Sequence, residues 1–326
     1  MHTSVKIFVL VSLFSISLFA TDLQKAIQDA IVANKDCKKL GDFYWEIGDS
    51  KGKVISGAEG KTYSAVTTMK IASASKWLFG AYVFETLKGH LTDEQKEFLQ
   101  MRSGYTNMSN VSCLRDKIKT VKECFLAELK MRKLFGHGSN ATLVSENKGK
   151  FYYNGAHAQA LAVKEEMGLA EKNNATLAQA MKSSLKLENI SYFFPQLAGG
   201  VQTNAATYAV FLRNLINDKY FLGKTLQSEN GVCANISCGF KDVAESPVAD
   251  HLPWWYANHY WIEKNKKGVV EAYSSPGVFG FYPWISSDKK YYGIIAREGA
   301  ARERGMKSIS CGGSIRTAFL VNQPHH

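Results

Sequence analysis

Ser73-Ala74-Ser75-Lys76-Trp77-Leu78-Phe79-Gly80-Ala81-Tyr82-Val83-Phe84 places a hydroxyl and an amine three residues apart at the head of an apolar run. On a helix, positions three apart share a face, so the Ser73 and Lys76 side chains become neighbours. A neutral lysine accepts the serine proton and makes the hydroxyl a nucleophile. It is neutral near pH 7 when burial or nearby positive charge lowers its pKa by several units. The apolar residues that follow supply the burial. The spacing itself is common, recurring at Ser50/Lys53, Ser145/Lys148, Ser183/Lys186, Ser286/Lys289 and Ser287/Lys290. Those pairs lie in polar turn-like segments or on a polar helix, and only Ser73 opens a helix that reads as buried.

The chain has 326 residues, 45% hydrophobic and 12% aromatic, enough for one large core or two intimate lobes. Lys6 followed by the apolar run Ile7 to Phe19 and then Ala20 has the proportions of a signal peptide, too short to span a bilayer comfortably. We expect residues 1–20 to be an export signal cleaved after Ala20, with an uncleaved N-terminal anchor as the alternative. The mature chain is then periplasmic or secreted, without stable membrane insertion. Six cysteines fit that compartment as disulfides. The preferred pairing is Cys113 with Cys124 and Cys233 with Cys238 as local loops, and Cys37 with Cys311 joining the two ends of the chain. No Cys/His cluster has zinc-ligand spacing, so no metal is implied. The formal charge of +11 is dispersed, without a dense basic run interleaved with aromatics, which argues against a nucleic-acid partner. Asn-x-Ser/Thr sequons occur at Asn107, Asn110, Asn140, Asn174, Asn189 and Asn235.

Asp22 caps an expected amphipathic helix through about Lys35. Phe43 to Ile47 and Lys53 to Ser56 read as a hairpin around Gly48-Asp49-Ser50-Lys51-Gly52. Residues from about 90 to 240 read as helices and long loops, with helical candidates at Glu123 to Lys133, Ala158 to Lys172 and Ala205 to Ile216. Strands return at His259 to Glu263, Val278 to Ile285 and Tyr291 to Ala296, and a short helix at Gly313 to Val321 closes the chain. Strands at both ends around a helical middle predict one antiparallel sheet built from both termini, in an α/β (α+β) fold.

Acyl transfer by a serine also needs a proton shuttle and paired donors for the developing oxyanion. Tyr152-Tyr153-Asn154 offers a Tyr-x-Asn triplet that brings a phenol and an amide together if the segment turns tightly. Tyr105-Thr106-Asn107 and Tyr256-Ala257-Asn258 have the same form. Ser275-Pro276-Gly277-Val278-Phe279-Gly280 opens an aromatic strand whose glycines allow close approach to backbone amides.

In this order the motifs resemble those of the serine β-lactamase, penicillin-binding-protein and class C-like esterase superfamily. Ser73-x-x-Lys76 corresponds to the first motif, Tyr152-x-Asn154 to the second and Ser275-Pro276-Gly277 to the third. Leu99-Gln100-Met101-Arg102-Ser103-Gly104-Tyr105 is similar to the family's Leu-Leu-x-His-x-Ser-Gly segment, and Gly199-Gly200-Val201-Gln202-Thr203 to its Gly-Gly-x-x-Ser/Thr helix entry. The resemblance implies a β-lactamase/transpeptidase-like domain over residues 21–326. Its α/β part covers about 21–90 and 241–326, and its helical part about 91–240. It further implies Ser73 as nucleophile, Lys76 as base, Tyr152 as proton shuttle and Asn154 holding Lys76 or the substrate. The resemblance also implies that the N–H groups of Ser73 and Val278 form the oxyanion hole, that Ser275, Pro276 and Gly277 line the substrate, and that no cofactor is required.

The third motif departs from the β-lactamase pattern, which has a cation followed by a hydroxyl for the substrate carboxylate. Ser275 carries no charge and Pro276 no donor, so an ester, amide or small peptide lacking that carboxylate fits better. The expected function is an exported serine hydrolase working through an acyl-enzyme. The alternatives are a β-lactamase or D-Ala-D-Ala carboxypeptidase, for which Arg297 or another cation would have to substitute, and a catalytically silent binding protein. Pro253 to Trp261 is expected to form either an aromatic wall near the site or packing between sheet and helices.

Overall fold

The aromatic and branched residues of Phe43-Tyr44-Trp45-Glu46-Ile47 form a strand buried on both faces. Its place in the molecule is seen in a computed structural model describing residues 21–128, 139–239, 241–249, 251–299 and 304–323. The expected export signal lies outside these residues.

The strands are β1 (Phe43–Asp49), β2 (Lys53–Glu59), β3 (Met69–Lys70), β4 (Phe151–Tyr152), β5 (Ser191–Tyr192), β6 (Val201–Thr203), β7 (Val232–Cys233) and β8 (Val243–Glu245). They continue with β9 (Trp255–Ala257), β10 (Tyr260–Lys264), β11 (Val270–Ser274), β12 (Tyr282–Ser286) and β13 (Tyr291–Ala296). The main sheet runs β2-β1-β13-β12-β11-β10-β9-β7, with β1 paired antiparallel to β13 from Tyr44↔Ala296 to Asp49↔Tyr291. Both ends of the sequence therefore build the sheet, as the strand pattern predicts. β3, β6 and β5 form a small second sheet, and β4 pairs in parallel with β8.

Helices cover both faces of the main sheet. The helix α1 (21–33) and the closing helix, spanning Arg304–Val321, lie on one face, where Leu23, Ile27, Ile31, Ile315 and Phe319 bury Trp45, Tyr282 and Trp284. On the other face stands α2 (Ser75–Thr86), in which every residue from Ser75 to Phe84 is buried. A helix without a polar face belongs in the core. Behind it pack α3 (Ala156–Ala162), α4 (Asn174–Leu185) and α5 (Ala205–Ile216); the closing helix is α6 (Arg304–Val321).

The sequence expectation for α5 matches the structure residue for residue, and those for β1, β2, β10 and β13 to within a few residues. Elsewhere the structure differs. The candidate at Glu123 to Lys133 is a helix over Val121–Leu126, and residues 129–138 lie outside those described. The candidate at Ala158 to Lys172 shortens to α3 and a 3-10 turn at Glu165–Met167. α6 is twice as long as expected, because buried Cys311, Ile315 and Phe319 carry one apolar face through Gly312-Gly313. Packing there outweighs the poor helix propensity of glycine. The expected strand from Val278 begins only at Tyr282, because Gly277 to Gly280 form a tight turn closed by the Gly280 N–H donating to the Gly277 carbonyl at 2.9 Å.

The three disulfides are Cys37–Cys311, Cys113–Cys124 and Cys233–Cys238, the pairing preferred from sequence. Among the described residues no helix is long and apolar enough to cross a membrane.

Candidate active site

Ser73 sits in a 3-10 turn (Ala72–Ala74) that runs directly into α2. Ala72, just before it, holds φ at 45°, a left-handed conformation disfavoured for a side chain with a Cβ. The turn is fixed from outside. The Tyr208 hydroxyl of α5 donates to the Ala74 carbonyl at 2.9 Å, and the Val201 N–H of β6 donates to Ser75 Oγ at 3.2 Å. Ser73 thus occupies the first turn of a helical run, where backbone N–H groups lack an intrahelical acceptor.

Lys76 points back along its own helix. Its Nζ lies 3.0 Å from Ser73 Oγ and donates to the Ala198 carbonyl at 2.9 Å. The side chain is buried, and loss of solvation pushes its pKa down to about 7. The Lys76–Ser73 geometry is the one the Ser-x-x-Lys spacing predicts. The Ala198 carbonyl, contributed by the segment before Gly199-Gly200, has no signal in the sequence that marks it as a lysine partner.

The tyrosine beside this pair is Tyr153. Its ring lies under the Lys76 ammonium, 4.8 Å from Nζ to the centroid, and its phenol lies beside the Ser73 side chain. Burial of the phenol pushes its pKa up to about 12, so it holds its proton across the physiological range. Tyr152, the residue expected in this place, instead extends β4. Its N–H donates to the Met101 carbonyl and its own carbonyl accepts from His157 Nε2, each at 2.9 Å. The reason is strand alternation: Phe151 is buried in the core, so the side chain two residues on shares its side and the one between does not. Asn154 does not reach Lys76 either. Its Oδ1 accepts from the N–H groups of Met108 and Ala156 at 3.2 and 2.9 Å, making it the turn residue that leads into α3.

The aromatic segment expected near the site packs on Tyr153 directly. Trp261 of β10 stacks on the Tyr153 ring at 5.2 Å, and Tyr256 of β9 meets it edge-on at 5.9 Å. These rings hold the Tyr153 ring in place.

Ser275 and Gly277 come to the nucleophile turn from the β11–β12 hairpin. Ser275 Oγ donates to the Ser73 carbonyl at 3.2 Å, while a Cβ at Gly277 would collide with the Ile71 carbonyl oxygen, so only glycine lets the two backbones meet. Gly280, with φ at 106°, completes the tip. Between them Pro276 is half-buried, and Val278 exposes its side chain. Among the described residues the Val278 N–H has no backbone partner. Arg297 is buried beside Gly280, with its Nε directed to the Asp42 carbonyl at 3.5 Å. Lys70 pairs with Glu298 at 3.7 Å.

The fold has counterparts among solved structures. The hydrolase with promiscuous acyltransferase activity EstCE1 superposes with a TM-score of 0.62 at 12% identity, over 92% of this chain and 99% of that one. Simvastatin synthase (LovD) from Aspergillus terreus gives 0.62 at 10% identity over 94% and 99% of the two chains. The penicillin-binding protein from Bacillus halodurans gives 0.55 at 13% identity over 88% and 98%. The chain has the serine β-lactamase/transpeptidase-like fold. No model of a protein family matches the sequence, and no curated protein matches it either. Here the nucleophile turn meets the β11–β12 hairpin at Ser275 and Gly277.

Proposed function

We propose that this chain is an exported serine hydrolase that forms an acyl-enzyme at Ser73 on an ester, amide or small peptide. The observation that carries the reading is the 3.0 Å contact between Ser73 Oγ and a buried Lys76 whose pKa is about 7. An amine half-deprotonated at neutral pH accepts the hydroxyl proton as Oγ attacks the substrate carbonyl carbon. The oxyanion of the tetrahedral adduct takes hydrogen bonds from the N–H groups of Ser73 and Val278, where loss of one donor costs about 3 kcal/mol in the barrier. Collapse breaks the bond to the leaving group, which takes a proton delivered through Tyr153 from Lys76. Water, or an acyl-accepting alcohol, then attacks the ester carbon, gives up its proton along the same route and frees Ser73.

Tyr153 takes the shuttle role that the triplet gives to Tyr152, and Asn154 supports the turn. Ser275 and Gly277 hold the hairpin against the nucleophile, and Pro276 lines the substrate. With Ser275 and Pro276 in the third motif and Arg297 engaged beneath the hairpin, β-lactam or D-Ala-D-Ala substrates lose their carboxylate anchor. Neutral acyl compounds are favoured, and the reading needs no cofactor. The paired Ser73, Lys76 and Tyr153 favour turnover over silent binding.

A fluorophosphonate probe on the folded protein is expected to modify Ser73. The label should disappear in Ser73→Ala and form far more slowly in Lys76→Ala. A folded wild-type protein that takes no label and turns over no ester defeats the reading.

A further inference from the structure

His157, on α3, is wholly buried and is not used in the proposed reaction. Both of its ring nitrogens are engaged: Nδ1 lies 2.7 Å from Ser103 Oγ and Nε2 lies 2.9 Å from the Tyr152 carbonyl oxygen. A carbonyl oxygen only accepts, so Nε2 carries the proton and the Ser103 hydroxyl donates to Nδ1, which fixes one neutral tautomer. On its other side, the Tyr152 N–H donates to the Met101 carbonyl at 2.9 Å. Tyr152 is therefore tied through both its N–H and its carbonyl to residues 101–103, the carbonyl by way of His157. The next link holds too, since the Tyr153 N–H donates to the Glu245 carbonyl of β8 at 3.1 Å.

We propose that His157 is a positioning residue: by bridging Ser103 to the Tyr152 carbonyl it fixes the Tyr153 phenol against Ser73 and Lys76. The role of that phenol in turnover rests on the catalytic reading of the site; the fixing of the ring does not.

Its surroundings keep the bridge in one protonation state. Burial holds the His157 pKa down to about 3, opposed by its bond to Tyr152 and reinforced by the Lys76 ammonium. The other titratable groups near Lys76 are the Tyr153 phenol, which stays protonated, and His259. His259 sits in the tight turn joining β9 to β10, and burial and the Lys76 charge hold its pKa far below the ordinary histidine value. Neither His157 nor His259 is charged near neutral pH, so the bridge stays intact. A serine and a histidine more than fifty residues apart thus serve a tyrosine that neither one touches in a described hydrogen bond.

The test places 3-fluorotyrosine at position 153 of the full chain and compares its fluorine resonance in the parent, His157→Phe and His157→Gln. The expected result is a narrow resonance in the parent, a shifted or broadened one in His157→Phe, and recovery in His157→Gln, whose side-chain amide still donates to the Tyr152 carbonyl. In turnover, His157→Phe should lower kcat about a hundredfold with KM little changed, the loss typical of a displaced reacting group. Adding Tyr153→Phe should then cost nothing further, because the two residues act as one unit. If His157→Phe does not fold, Ser103→Ala removes the Nδ1 partner alone and should broaden the same resonance. An unchanged resonance in the folded variant, or losses that multiply in the double variant, overturns the proposal. A parent protein without Ser73-dependent turnover defeats the catalytic reading instead, and the fluorine comparison still decides whether His157 fixes the ring.

Discussion

Lys76 and Tyr153 share one desolvated corner, and burial moves their proton affinities in opposite directions: the amine becomes easier to deprotonate, the phenol harder. With Lys76 near 7, kcat/KM should fall tenfold for each pH unit below about 7 and level off above it. Tyr153, at about 12, adds no alkaline limb. Stability follows the same lysine. The unfolded chain keeps the Lys76 proton up to roughly pH 10.4, while the folded chain gives it up near 7. Between these values the unfolded state binds more protons, so this residue's contribution to stability rises with pH across that window and is most unfavourable below pH 7. A pH–rate profile flat from 5 to 9 would contradict the assignment. The tyrosine register has its own test. Tyr153→Phe should lower kcat by about two orders of magnitude, whereas Tyr152→Phe should change it by less than about threefold, as measured on one ester substrate. The Ser-x-x-Lys pair was legible in the sequence because only one of its occurrences opens a buried helix. The tyrosine was not, since Tyr152 and Tyr153 are chemically identical and only the burial of Phe151 decides which of them faces Ser73.

At the scale of elements, α2 and α5 were readable because long apolar or amphipathic runs leave little choice of structure. The β11–β12 hairpin was harder. Val278 to Tyr282 is aromatic enough to read as strand, yet the carbonyl of Ile71 presses on Gly277 and the chain must turn at Gly280. The hairpin tip is therefore held by contact with the nucleophile turn rather than by its own propensities. Gly277→Ala should push the hairpin away from Ser73. We expect folded protein with kcat reduced at least about tenfold, and fluorophosphonate labelling slowed in proportion. An alanine variant as active as the parent would mean that the hairpin backbone does not support the reaction.

In the whole molecule, the disulfide between Cys37 and Cys311 spans 274 residues and fastens the short helix at Lys35–Lys38, just after α1, to α6. Replacing both cysteines with serine should cost about 2–5 kcal/mol. The result should be a clear drop in melting temperature, with Ser73 reactivity retained in the protein that stays folded. The antiparallel sheet from both termini was legible in the sequence because hydrophobic strand patterns bracket a helical middle. The addition of β7 to the sheet edge was not, since two residues carry no period.

The pairing of β1 with β13 has a consequence for synthesis. Tyr44 meets Ala296 across more than 250 residues, and pairings so distant in sequence close late and fold slowly. β13, the inner neighbour of β1 in the sheet, is synthesised long after it. Until then β1 has no neighbour on that side, and Ser73, made early, has no hairpin opposite it. On the catalytic reading, a chain in this state lacks a complete site and gains its reactivity only once the β11–β12 hairpin has arrived.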